Sequence, residues 1–432
     1  MDYLKQLAKQ LLKHQAQLVL KKYRPKIIAI TGSVGKTLTK EAIYQVLSKN
    51  FFVRKSEKSF TAELGVPLAI LGCGEGAPGI SQLIKNILIG FKTVFFKTNY
   101  PHWLILEVDG DKPGDLAMVS SLMRPDILVV TAIGEVPSHI ETFGDMDIFL
   151  NEKKAMVDSL RFGGAVVYNA DDPVTFDLAQ GSKVKMVPVG IQSNVQVSGT
   201  DFEILYGSGK TGSVPIGMSF GLKYKAETFP INIFNTIGDQ NEYALLLAFA
   251  VGLEFGLKPQ EIIKSLSKFS PLPGRMNFVP GIKDTIIIDD SYNSSPIAMA
   301  QAIEVLKEIK SVEKKVAVIG DMLELGRFSA IEHRKIAELL RGSATHVVCV
   351  GFRARKIGDE LLGYGFPESN IVSFDTSDEV GKYLQNFVDD SDIILVKGSQ
   401  AMRMEKVVEE IMRYPEDKKK VLVRQEEEWL SR

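Results

Sequence analysis

Apolar residues fall into two kinds of run along this chain. KIIAIT (26–31), WLILEV (103–108), DILVVTAI (126–133) and AVVYNA (165–170) are short and nearly unbroken, as strands buried on both faces are. Between the first three, apolar positions recur at helical spacing, as in TKEAIYQVLSKN, which predicts helices covering a largely parallel sheet. Residues 181–235 change to short alternating runs with many Gly and Ser, predicting a β-rich extension. Helices are expected at EYALLLAFAVGLEFG and KPQEIIKSLSKF. After PLPGR (271–275) the alternation restarts: TIIIDD, a helix around MAQAIEVLKEI, KVAVIGD, a helix around SAIEHRKIAELLR, HVVCVG and DIILVKG. The first 25 residues read as one helix, apolar at Leu4, Leu7, Leu11 and Leu12 and ended near Pro25. Three parts are therefore expected: an N-terminal helix (1–25), a central α/β domain (26–273) and a C-terminal Rossmann-like α/β domain (274–432).

Composition narrows the function classes. The formal net charge is −1, with 52 Lys and Arg against 53 Asp and Glu, so nothing argues for a nucleic-acid partner. Cys73 and Cys349 are the only cysteines, too far apart to suggest a disulfide framework or a zinc site, and they fit a reducing cytoplasm. The N-terminus lacks the apolar core and cleavage site of a secretory signal. Residues 80–100, ISQLIKNILIGFKTVFFKTNY, are apolar but interrupted by Lys85, Lys92 and Lys97. They read either as a helix packed on the protein's own body, the expected case, or as a basic amphipathic helix making peripheral contact with a membrane.

The sharpest chemical signal is TGSVGKT, Thr31 to Thr37. Gly32, Ser33 and Gly35 form a loop whose glycines let backbone N–H groups approach phosphate oxygens; Lys36 supplies a cation and Thr37 a hydroxyl for Mg²⁺. Alone, G-x-x-G-K-T also describes a glycine-rich turn with a solvated lysine. Its place between a buried strand and a helix favours a central P-loop-type, parallel-sheet ATPase domain. Glu107 closes WLILEV, and His139 lies in the segment after DILVVTAI; in a parallel sheet both reach the loop's edge, where they qualify as metal ligands. A lone loop histidine is otherwise an ordinary turn residue.

TGSVGKT, the Glu107 strand end, SHIETFGD, NADDP, PLPGRMN, IDDSYNSSP, GDMLELG, His333 and LVKGSQAMRMEKVV occur in an order that resembles the Mur ligase family. The resemblance covers about residues 26 to 412. It implies an ATP- and Mg²⁺-dependent ligase that activates a small-molecule carboxylate as an acyl phosphate and joins it to an amino acid or dipeptide. Within the family it points to members that add D-alanyl-D-alanine to a muramoyl tripeptide. By position, the resemblance makes Lys153 a carbamylated lysine and metal partner, with Lys154 leaving the register open by one. It puts Asn241 on the adenine side and Arg275 on a phosphate. Asp290, Tyr292 and Asn293 would meet the ribose and base, and Lys397, Gly398 and Ser399 the incoming amino substrate. Lys36, His139, Lys153 and Arg275 are thereby the expected catalytic set, with Thr37, Glu107, His139 and Lys153 at the metal.

The sequence also departs from the family. About 25 residues precede the first strand, too few for the separate UDP-sugar domain expected of the family. Phe60, Thr61 and Ala62 stand where asparagines are usual, leaving Thr61 as a partial substitute at the substrate. Gln240 replaces a histidine and Ala244 an asparagine. A different small carboxylate as acceptor, or a non-catalytic nucleotide-binding protein, are the alternatives.

Overall fold

A computed structural model of the chain describes residues 2–57, 62–74, 80–180, 184–209, 212–310 and 314–430. Thr61 and its neighbour Phe60 lie outside these residues. The first half builds a nine-stranded sheet from β1 (Lys26–Thr31), β2 (Val53–Lys55), β3 (Trp103–Glu107), β4 (Ile127–Val130), β5 (Ala165–Asn169), β6 (Lys185–Gly190), β7 (Val197–Ser208), β8 (Ser213–Tyr224) and β9 (Glu227–Phe234). Their order is β2-β3-β1-β4-β5-β6-β7-β8-β9, parallel as far as β7 and antiparallel over β7–β9. The β-rich extension thus continues the main sheet.

Alternation along the strands divides the core. Ile28 and Ile30 face α2 (Lys36–Leu47), while Ile27 and Ala29 face α1 (Asp2–Tyr23). The α1 side also carries α3 (Ala62–Leu71), α4 (Ile80–Phe95), α5 (Asp115–Leu122), α6 (Ile140–Phe143), α7 (Met146–Asp158) and α8 (Pro173–Gln180). Alongside α2 lie α9 (Asp239–Glu254) and α10 (Pro259–Leu266). No helix among the described residues is long and apolar enough to cross a membrane.

β4 ends at Val130, earlier than its apolar run. The Ala132 carbonyl leaves the ladder to accept N–H groups of Ser33 and Val34 at 2.7 and 3.0 Å, and the Gly134 N–H donates to Asp172 at 3.0 Å. Backbone that continued as strand could not serve these partners.

A six-stranded sheet follows: β10 (Asn277–Pro280), β11 (Ile286–Asp290), β12 (Lys315–Gly320), β13 (His346–Val350), β14 (Ile371–Phe374) and β15 (Ile393–Lys397), ordered β10-β11-β15-β12-β13-β14. Only β10 runs antiparallel to its neighbour. α11 (Pro296–Glu308) and α12 (Ser329–Arg341) pack on one face, and α13 (Arg355–Gly363) joins them there. α14 (Ser377–Phe387) and α15 (Glu405–Ile411) pack on the other. The two halves touch through Val34, Ala132, Ile297 and Ala298, an apolar contact beside the glycine loop.

Candidate active site

The carboxyl ends of β1, β3 and β4 lie side by side, because Ile30 pairs with Glu107 and Thr31 with Val130. Ligands of parallel sheets collect at this edge. Gly32 turns the chain there at φ +138, and a Cβ on it would come within 2.1 Å of Thr131 Oγ1. Gly35, at φ +85, starts α2 in a left-handed conformation that a side chain would strain. Lys36 folds back over the loop, its Nζ 2.9 Å from the Gly32 carbonyl and 2.8 Å from Asp109 Oδ2.

Glu107 is buried at the floor of this edge. Its Oε1 accepts from Thr37 Oγ1 at 3.1 Å, and its Oε2 lies 3.2 Å from Nζ of Lys40, itself fully enclosed. One helical turn separates Lys36 from Lys40, so α2 sends one cation over the loop and one beneath it.

α7 brings Lys153 in from the side. Its Nζ lies 3.2 Å from Asp109 Oδ1 and 3.3 Å from Thr31 Oγ1, while Lys154 is exposed. Burial lowers the Lys153 pKa and Lys36 adds to the drop, against the opposing pull of Asp109. Burial would raise the Asp109 carboxyl, but Lys36, Lys153 and His139 hold it far below the carboxylate range. His139, at φ +67, places Nδ1 2.5 Å from Glu324 Oε2. Burial works against its charge, but Glu324, Asp109 and Asp111 together raise its pKa.

The second sheet supplies the opposite wall. Asp290 pairs in register with Lys397, whose Nζ lies 2.5 Å from Asp290 Oδ2 and 3.1 Å from the Asn293 carbonyl. Arg275 stacks on Tyr292, its guanidinium carbon 3.7 Å from the ring centroid, and donates through Nη2 to Thr37 Oγ1 at 3.3 Å. A cavity of about 310 Å³ lies between these walls. Ser33, Gly35, Lys36, Thr37, Glu107, His139, Arg275, Asp290, Tyr292, Asn293 and Lys397 all line it.

Other expected residues stand elsewhere. Asn241 does not line the cavity: it is buried, and its Nδ2 donates to the Ile237 carbonyl at 3.0 Å, so its neighbour Gln240 faces the space instead. Ser399 accepts the Leu323 N–H at 2.8 Å and braces a loop behind Lys397. His333 accepts the Met322 N–H at 3.0 Å through Nε2, a structural role within the second half. Lys40, Asp109, Asp111 and Glu324 escaped the sequence reading. Of these, Lys40 left a local signal, following Lys36 at i+4 on one helix.

Residues 30–252 match the Mur ligase middle domain, and residues 274–400 the Mur ligase, glutamate ligase domain. The chain belongs to the Mur ligase family. It is an ATP-dependent, amide-bond-forming ligase of that family. The chain is 26% identical over 405 residues to the UDP-N-acetylmuramoyl-tripeptide–D-alanyl-D-alanine ligase of Bacillus subtilis (strain 168), covering 94% of this ligase and 79% of that one. It is 28% identical to the enzyme of the same name from Buchnera aphidicola, covering 93% and 79%. The crystal structure of MurF ligase from Thermotoga maritima in complex with ADP superposes with a TM-score of 0.75 at 24% identity, covering 93% of this chain and 83% of that one. At that identity the superposition bears on the fold.

Proposed function

We propose that this Mur ligase adds D-alanyl-D-alanine, or a closely similar dipeptide, to a muramoyl-tripeptide cell-wall precursor. The observation that carries the reading is the single cavity in which Lys36 and Thr37 meet Arg275, Asp290 and Tyr292 across the two sheets. Similarity over 94% of this chain and 79% of the Bacillus subtilis enzyme, which is named for D-alanyl-D-alanine addition, supports that substrate class.

The chemistry follows from charge. A carboxylate attacking the γ-phosphorus brings two anions together, so cations must screen them. Lys36 from the loop and Arg275 from the opposite wall supply two positive charges on either side of Thr37. Closure of the walls excludes water, and the acyl phosphate meets an amine in preference to hydrolysis. Asp290, Tyr292 and Asn293 hold the nucleoside from the second half. Lys397 orders that wall through its pair with Asp290, close to where the amine enters.

The oxygens of Thr37 and Glu107 suit Mg²⁺. They stand 3.1 Å apart, and no group of three or more His, Cys, Asp or Glu among the described residues forms a protein-only cage. Mg²⁺ commonly takes one or two protein oxygens and completes its shell with phosphate and water. When bound it withdraws charge from the transferring phosphoryl group. His139, which lines the same cavity, would be the nitrogen ligand of this set.

Lys153 is suited to carbamylation. Its lowered pKa favours the neutral amine, whose nitrogen attacks CO₂ and releases one proton. The resulting carbamate would sit beside Asp109, an anionic pair that a divalent cation neutralises.

The test is ADP release from Mg²⁺-ATP with UDP-muramoyl tripeptide and D-alanyl-D-alanine, each omitted in turn. Turnover that requires both, with the pentapeptide as product, is expected. ADP release indifferent to the dipeptide would overturn the proposal and direct attention to another amine, and release indifferent to the tripeptide to another carboxylate.

A further inference from the structure

We infer that α4 and the helix beneath it form a docking face for an anionic lipid surface, a property independent of the ligase reading. The helix has two unlike sides. Its inner side is tied to α1 closely: a Cβ on Gly90 would come within 2.0 Å of Gln15 Oε1, and Gln15 Nε2 donates to the Ile87 carbonyl at 3.1 Å. At its C-terminal end Lys22 Nζ donates to the carbonyls of Thr93 and Val94 at 3.1 and 2.8 Å, and Tyr23 donates to Thr93 O at 3.2 Å. The outer side is therefore held in one orientation.

That outer side is apolar. Ile84, Leu88, Phe91 and Phe95 follow one another at four, three and four residues, a continuous stripe, and are 53, 61, 41 and 71% exposed. Phe96 extends it at 67%, and the rings of Phe91 and Phe95 stack at 6.0 Å. A run of large side chains this exposed marks an interaction surface.

Charge selects the occupant. Residues 80–100 hold three lysines and no acid, and residues 1–26 hold seven Lys or Arg against Asp2 alone, in a chain whose net charge is −1. Lys85 and Lys92, each one residue on from a stripe member, lie about a quarter-turn round the helix and border it. A second copy would bring the same cations face to face, with no carboxylate on either stripe to offset them. An anionic bilayer answers both features: acyl chains take the stripe and headgroups take the lysines.

Co-sedimentation of the full chain with vesicles of equal phosphatidylglycerol and phosphatidylcholine tests this, with phosphatidylcholine vesicles as control. Binding to the anionic vesicles, weakened by salt, is expected. Leu88→Ser with Phe95→Ser should lower the partition coefficient on the order of tenfold or more. Lys85→Gln, Lys92→Gln and Lys97→Gln together should lower it by about fivefold per lysine. Absence of binding to anionic vesicles, or binding indifferent to both sets of changes, would overturn the inference. So would self-association abolished by the serine variant without any vesicle binding, which would make the stripe an interface between copies.

Discussion

His139 and Glu324 meet across the two halves of the molecule with their backbones both in the left-handed region, at φ +67 and +62, and their side chains 2.5 Å apart. The Glu141 N–H donates to the Glu324 carbonyl at 3.1 Å in the same place. Non-glycine residues seldom hold such angles unless their surroundings enforce them. Facing each other at a domain boundary beside the cavity, the two are placed to act as a latch between the halves.

Glu324→Ala should loosen that latch. Glu324 is more than half exposed, so the pair contributes little, about 0.2–1 kcal/mol. The expected result is a rise of up to about fivefold in KM for ATP, with the fold unchanged. Steady-state kinetics would show it; an unaltered KM would remove the latch.

Lys153→Ala should abolish most turnover, on the order of a hundredfold or more, as removal of a charge-organising group does. If the side chain acts as a carbamate, short carboxylates should restore part of the rate to this variant. A variant as active as the parent would exclude the role.

Arg275→Lys keeps the charge but loses the flat contact with Tyr292 and the fork that reaches Thr37. A fall in kcat/KM for ATP of roughly tenfold is expected, from about 1–2 kcal/mol of lost stacking and hydrogen bonding. Activity close to that of the parent would mean charge alone suffices.

Glu242 gives the fold a pH dependence of its own. Burial, with Asp239 nearby, pushes its carboxyl from 4.5 up to about 8, and among the described residues neither of its oxygens has a hydrogen-bond partner. Above pH 4.5 the unfolded chain releases a proton that the folded chain keeps, so stability falls as pH rises from 4.5 towards 8. Glu242→Gln should flatten that slope and stabilise the protein at pH 8, by an amount on the order of a few kcal/mol. Thermal unfolding across this pH range measures both effects; parallel curves for the two proteins would refute the assignment.

Much of this was legible in the chain. Buried parallel strands must be apolar on both faces, so β1, β3, β4 and β5 stood out, and the tight turn at Gly32 and Gly35 between strand and helix could be read because only glycine takes those angles without strain. Asp109 and Glu324 could not be read in the same way. An acid in a loop is ordinary until its neighbours are known, and Lys36, Lys153 and His139 come from three separate elements to reach Asp109. Asn241 illustrates the reverse: the sequence position was clear, but the helix turned its side chain towards Ile237 and Gln240 towards the cavity.

The sequence by itself determined the strand–helix alternation, the glycine loop between β1 and α2 and the family, because periodicity and local turn chemistry are properties of neighbouring residues. Only the tertiary structure decided that Lys153 and not Lys154 is buried at the site, that Lys40 stands under Glu107, and that α4 turns one apolar face inward and another outward. Those outcomes depend on which distant surfaces pack together. Burial and charge neighbourhood are set by that packing, and composition along the chain does not contain it.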